Sequence, residues 1–166
     1  MHTSTQVGER LALRAAVPDD REAIAELRAV VMRPDLERLG RFDPHRVRQR
    51  FRDAYTPAHT FLVLYDGAFA GCVALRPTDD CRWLEHFYLR PELHGRGLGS
   101  AILRTALAEA DAAGETVRLN VLQSSPARRL YERHGFVLES EDPVDVFMVR
   151  FPPTGRRLSV SPNTGP

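Results

Sequence analysis

Between residues 94 and 100 the chain reads His94-Gly95-Arg96-Gly97-Leu98-Gly99-Ser100, with a strand-like run before it and a long helical pattern after it. Glycine at every second position lets the backbone turn sharply and approach a ligand, because no Cβ stands in the way. The N–H groups at the start of the following helix then converge where the helix dipole favours an anion. A diphosphate is the natural guest. The dinucleotide fingerprint needs glycine or alanine where Ser100 stands and an acidic residue at the end of the next strand, which here ends near Asn120. The phosphate loop of nucleotide hydrolases needs a lysine, and the turn has none.

The remaining pattern places this turn within one domain. Leu11 to Ala15 reads as a strand, followed by Val17-Pro18-Asp19-Asp20, which breaks it and opens a helix. Ala23, Ile24, Leu27, Val30 and Val31 follow helical spacing until Pro34, where the helix is expected to end. A second helix runs from Pro44 to the stop at Thr56-Pro57. Thr60–Tyr65 and Phe69–Leu75 form a hairpin around Asp66-Gly67, and Trp83–Leu89 continues the antiparallel series. After the glycine turn a helix extends to about Ala113, capped by Gly114. A strand over Thr116–Val121, a short helix from Pro126 to His134 and strands at Phe136–Glu139 and Val144–Phe151 complete the order. This predicts an α+β class: a single mixed, mostly antiparallel twisted sheet with helices on both faces. Residues 1–151 form the domain, and 152–166, rich in Pro, Gly and Ser, form a tail.

Charge and cysteine usage exclude other classes. Lys plus Arg number 23 against 22 acidic residues, a balance unlike that of a general nucleic-acid binder. Met1 to Arg10 is polar and reads as no secretory leader, and no apolar run is long enough to span a bilayer. The expected setting is cytoplasmic, with no membrane and no nucleic-acid partner. Cys72 and Cys81 make no metal-binding spacing and are expected as reduced, partly buried thiols, and no metal site is expected.

Two segments resemble the GNAT N-acetyltransferases. His94 to Gly99 is similar to that family's acetyl-CoA signature, Q/R-x-x-G-x-G/A, and it follows Tyr88-Leu89-Arg90-Pro91-Glu92. Ser125-Pro126-Ala127-Arg128-Arg129-Leu130-Tyr131-Glu132-Arg133-His134-Gly135-Phe136 is similar to the family's Asn-x-A-x-x-Leu-Tyr-x-x-x-Gly-Phe. His94 and Ser125 depart from the family's usual Gln or Arg and Asn. The resemblance implies a GNAT acyl-CoA N-acyltransferase fold, acetyl-CoA as acyl donor and a primary amine as acceptor. A small molecule is favoured, while small amine, aminoglycoside, amino acid, peptide N-terminus and lysine side chain all stay open; a homodimer is compatible with the resemblance. It implies diphosphate contacts from His94, Gly95, Arg96, Gly97, Leu98, Gly99 and Ser100, and pantetheine along Phe87, Tyr88 and Leu89. It also implies cofactor contacts at Ser125, Ala127 and Arg128, with the Leu89 N–H near the thioester oxygen.

Tyr131 stands at the family's general-acid position, and a phenol suits protonation of a departing thiolate. For the base, the resemblance points to Glu85, with His86 as an alternative relay. Strand alternation would put Glu85 and Phe87 on one face and Leu84, His86 and Tyr88 on the other. The acceptor pocket is expected between Met32 and Pro44 and around Glu141 to Val146, where Asp35, Glu37, Asp43, Asp142 and Asp145 could meet a cationic amine. Arg46, Arg48, Arg50 and Arg52 read as a solvated face. Two other readings stay open: a non-catalytic acyl-CoA-binding sensor, and an interaction module using the arginine-rich helix.

Overall fold

A computed structural model describes residues 4–153. The tail expected from residue 152 lies, from 154 onward, outside the described residues. Eight strands form one sheet: β1 (Ser4–Gln6), β2 (Leu11–Ala15), β3 (Thr60–Tyr65), β4 (Ala68–Pro77), β5 (Arg82–Leu89), β6 (Val117–Leu122), β7 (Val137–Glu141) and β8 (Asp145–Arg150). Their spatial order is β1-β2-β3-β4-β5-β6-β8-β7. Every neighbouring pair is antiparallel except β5 and β6. Four helices pack on the sheet: α1 (Arg21–Arg38), α2 (Pro44–Ala54), α3 (Leu98–Ala112) and α4 (Ala127–Arg133). The expected α+β architecture is therefore the one observed.

Alternation along the strands divides the core. Leu62 and Cys72 pack with Ile24, Ala25 and Leu27 of α1 and Phe51 of α2. Their chain neighbours Val63 and Val73 face the opposite way, against Ile102, Leu103 and Leu107 of α3 and Tyr131 of α4. The β3–β4 hairpin turns at Asp66 and Gly67, with φ of 52° and 79°, the left-handed pair a two-residue hairpin requires. Asp43 starts α2 by accepting from the N–H groups of His45 and Arg46, both at 2.9 Å, ahead of Pro44.

The structure departs from the sequence expectation in three places. Pro34 does not end α1, which continues to Arg38. The carbonyl that Pro34 leaves without a donor belongs to Val30, a residue 56% exposed, so water can take that hydrogen bond. β1 was not expected because its three residues are polar and exposed; it pairs with β2 through backbone alone, Ser4 opposite Arg14.

The third departure shapes the site. Cys72 pairs with Tyr88 and Ala74 with Glu85, so two steps along β4 face three along β5. The extra residue is a bulge at His86, whose φ is 49°. The bulge shifts the alternation by one, so Glu85, His86 and Tyr88 lie toward α1 and α2, while Leu84, Phe87 and Leu89 join the α3 side. Simple alternation, which grouped Glu85 with Phe87, is thereby corrected. Cys72 and Cys81 are buried and unbridged, and the Cys72 thiol donates to the His86 carbonyl at 3.0 Å, inside the bulge.

Gly71 makes the bulge sterically feasible. A Cβ at that position would stand 2.1 Å from the Tyr88 carbonyl oxygen, closer than any real contact. Gly71→Ala should therefore push β5 from β4 and cost about 1–3 kcal/mol, as overpacking does. Thermal unfolding should show a Tm lower by roughly 2–4 °C per kcal/mol for a chain of this size.

Candidate active site

The glycine turn is open. Gly95 and Gly97 have φ of 75° and 77°, and an added Cβ on either would meet no atom within 4 Å. Backbone conformation, rather than crowding, is what demands glycine here. Gly97 caps α3, and the first helical hydrogen bond runs from the Ala101 N–H to the Gly97 carbonyl at 3.2 Å. The N–H groups of Leu98, Gly99 and Ser100 thus have no partner within the helix, and they point out of its N-terminus.

Neighbouring side chains brace the turn. The Leu89 carbonyl can only accept, so the His94 ring must donate its Nε2–H to it, at 2.7 Å. His94 thereby ties the end of β5 to the start of the turn. Ser100 Oγ lies 3.2 Å from His134 Nε2, joining the first turn of α3 to the end of α4. The helices pass close at Gly99, where an added Cβ would make an ordinary 3.4 Å contact with Leu130 Cδ2. Arg96 is exposed, and Arg128 pairs with Glu132 at 3.5 Å.

Beyond the turn, β5 and β6 part. They pair only at Arg82 with Val117 and Trp83 with Arg118. From Leu84 onward the two parallel strands diverge, leaving one edge of β5 without a strand partner. The Arg90 N–H bonds to the Ala70 carbonyl at 2.8 Å on the β4 side. In an antiparallel ladder successive residues point to alternate edges, so the N–H of Leu89 faces the opening. An extended amide-bearing chain could bond to this edge as an additional strand would.

The opening leads into a cleft of about 890 Å³. Glu85, His86, Phe87 and Tyr88 line it from β5, Ser125, Ala127 and Tyr131 from the α4 segment, and Arg28 and Met32 from α1. Ser125 Oγ accepts from the Ala127 N–H at 3.3 Å and so orders the start of α4. Tyr131 is 8% exposed, with its ring 6.5 Å from that of Phe87 and 5.8 Å from that of Phe136. Burial, and then the neighbouring Tyr88, push its phenol well above the usual value, so it stays protonated at neutral pH.

Glu85 is held by Arg76, whose Nε donates to Oε1 at 2.8 Å. Next to it, Arg28 Nε donates to the Tyr88 hydroxyl at 3.0 Å, and that hydroxyl lies 3.1 Å from His86 Nδ1. Burial drives the Tyr88 phenol up to about 12. Burial also holds the His86 imidazole below its ordinary 6.5; Glu85 opposes this, while Arg28 and Arg76 reinforce it. His86 is therefore a neutral ring at pH 7, seated edge-on against Phe51 at 5.0 Å.

The carboxylates expected in the acceptor pocket divide. Asp35, Asp43, Asp142 and Asp145 line the cleft, and Glu37 does not. Each of the four is already engaged: Asp35 by Arg38 at 2.7 Å, Asp43 as the α2 cap, Asp142 by the N–H groups of Val144 and Asp145, and Asp145 by Asn120. The arginines of α2 divide as well. Arg48 and Arg52 bridge to Glu26 and Glu22 of α1, whereas Arg46 and Arg50 line the cleft. The Arg28–Tyr88–His86 chain was missed from sequence, although an arginine four residues after Ile24 on a buried stripe was a usable signal.

Comparison with known proteins matches this geometry to a family. The profile of the Acetyltransferase (GNAT) family matches residues 24–136. No curated protein sequence matches the chain. The structure of PaiA N-acetyltransferase from Thermoplasma acidophilum, in complex with coenzyme A, is similar with a TM-score of 0.70 at 19% identity. That match covers 85% of this chain and 98% of the other. RimL, a ribosomal L7/L12 alpha-N-protein acetyltransferase, gives 0.65 at 18% identity, over 91% and 95% of the two chains. N-acetylglutamate synthase from Neisseria gonorrhoeae, complexed with coenzyme A and L-arginine, gives 0.62 at 23%, over 87% of this chain and 34% of its own. At such identities the likeness is one of fold. Among the described residues, no helix is long and apolar enough to cross a membrane, and no cluster of His, Cys, Asp or Glu could hold a metal.

The partly buried imidazoles make stability depend on pH. The folded values of His86 and His134 lie below the unfolded 6.5, so the unfolded chain binds more protons in between, and stability rises with pH there. That stabilisation is complete above 6.5 and is lost as pH falls through the folded values. The Tm should drop on acidification from pH 7 to pH 5, and His86→Gln should make the drop shallower in a series of thermal melts.

Proposed function

Since this chain belongs to the Acetyltransferase (GNAT) family, and so is an acetyl-CoA-dependent N-acetyltransferase, we propose that its acceptor is the primary amine of a small molecule, acetylated by direct attack within a ternary complex. The observation that supports this most is the meeting of three features. The open N-terminus of α3, the free edge of β5 and the cleft containing Tyr131 lie in sequence along one path. A diphosphate fits the first, an amide-bearing arm the second, and a thioester beside an amine the third.

In this reading the diphosphate of acetyl-CoA rests on the N–H groups of residues 95–100, with His94 and Ser100 fixing the turn. The pantetheine arm follows Phe87, Tyr88 and Leu89, and Ser125, Ala127 and Arg128 border it on the α4 side. The Leu89 N–H is placed to stabilise negative charge on the thioester oxygen. The neutral amine attacks the carbonyl carbon, the C–S bond breaks, and the thiolate takes the Tyr131 proton. The proton released by the new amide nitrogen passes to Glu85, directly or through water. The neutral His86 ring, held beside Glu85 by the Tyr88 contact, is the specific alternative for that last step.

The experiment follows thiol release from acetyl-CoA over a panel of amines. At least one small amine should raise release well above the hydrolytic background. Tyr131→Phe should lower kcat by on the order of 10²-fold while acetyl-CoA affinity stays within a few-fold. Glu85→Gln should lower kcat and change the acidic limb of the pH profile; an unchanged limb would transfer the role to His86. Tight acetyl-CoA binding with no amine-dependent release would leave a binding protein rather than an enzyme acting on small amines.

A further inference from the structure

We propose that the acceptor carries an anionic group, a carboxylate or a phosphate, in addition to its amine, and that Arg46 and Arg50 of α2 receive it together with Arg41 from the preceding loop. The inference rests on the acyl-transfer reading only for where the amine must sit; the anion site is argued from the cleft itself.

Arg46 and Arg50 stand one helical turn apart, at i and i+4, on the side of α2 that faces the cleft with Val47. Arg41 enters the same cleft from the α1–α2 loop. Among the described residues none of these three has an ion-pair partner. Two neighbouring acids serve the backbone through Oδ1: Asp43, whose ionised form Arg46 also favours, caps α2, and Asp142, whose ionised form Arg41 also favours, accepts from two backbone N–H groups. The other arginines around this region are committed. Arg28 bonds Tyr88 and the Val47 carbonyl, Arg38 bonds Asp35, and Arg48 bonds Glu26.

Donor capacity in the wall therefore lies with guanidinium groups that have no ion-pair partner, whereas each of the four cleft aspartates already accepts from the protein through its Oδ1. Like charges one turn apart on a helix repel, and a carboxylate or phosphate between them would accept several charge-assisted hydrogen bonds at once. A dicationic amine would meet carboxylates that each already accept from the protein through one oxygen. Beside the carboxylates expected to meet a cationic amine, the cleft thus offers guanidinium groups suited to an anion.

The test separates binding from turnover. Isothermal titration into the coenzyme A complex measures binding of β-alanine and O-phosphoethanolamine against ethanolamine and 1,3-diaminopropane, and thiol release from acetyl-CoA measures turnover of the same four. At least one anionic amine should exceed the neutral and dicationic ones roughly tenfold or more in kcat/KM, with the β-alanine and phosphoethanolamine arms distinguishing carboxylate from phosphate. The double variant Arg46→Gln/Arg50→Gln should erase most of that preference, chiefly through KM. Arg48→Gln removes the same charge from the opposite side of α2 and should leave the preference intact; circular dichroism confirms the fold of each variant. Preference for the neutral or dicationic amines, or equal loss of preference in Arg48→Gln, would overturn the anion site while leaving acyl transfer standing. Arginine-dependent binding of an anionic amine with no turnover of any would do the reverse.

Discussion

The structure turns on the point at which β5 and β6 stop pairing. A parallel ladder normally continues because each backbone N–H and C=O needs a partner once water is excluded. Here it stops after Arg82 and Trp83, and the remaining edge of β5 faces a gap between two halves of the sheet. The cleft, the approach to Tyr131 and the exposed α3 N-terminus all follow from that separation. Each lies where sheet bonding ends and unpaired main-chain groups become available.

The bulge at His86 works with the separation. One extra residue rotates the strand so that Glu85, His86 and Tyr88 lie together on the α1–α2 side, while Phe87 turns toward Tyr131. Without it, Glu85 and His86 would lie on opposite faces. The Cys72 thiol bonded to the His86 carbonyl and the missing Cβ of Gly71 beside the Tyr88 carbonyl hold this irregular backbone on the β4 side. Burial then sets the chemistry: it keeps the phenols of Tyr88 and Tyr131 protonated and the His86 ring neutral.

The fold was largely legible. The hairpin at Asp66-Gly67, the strands of the central sheet and the helix after the glycine turn all carry local signals: left-handed turn residues, alternation, or a repeat near 3.6. Where legibility failed, the deciding partner was distant in sequence. The end of α1 depends on whether the Val30 carbonyl can reach water, which Pro34 alone does not reveal. β1 is held by pairing with β2 rather than by any apolar face of its own. The faces of β5 depend on a bulge that no residue type announces, since His86 with positive φ has no sequence mark.

By itself the sequence determined the α+β class and the anion-ready glycine turn, because alternating glycines before a helix impose their backbone geometry locally. It also placed Tyr131 after that turn in an order that resembles an acetyl-CoA enzyme. Only the tertiary structure decided which charges are free. A carboxylate and a guanidinium look equally available in a sequence, and only their neighbours in space show that Asp35, Asp43, Asp142 and Asp145 each accept from the protein through one oxygen while Arg46 and Arg50 line the cleft without an ion-pair partner among the described residues. Hydrogen bonding is directional and local, so only the folded neighbourhood shows which groups already have partners and which keep their full capacity for a ligand.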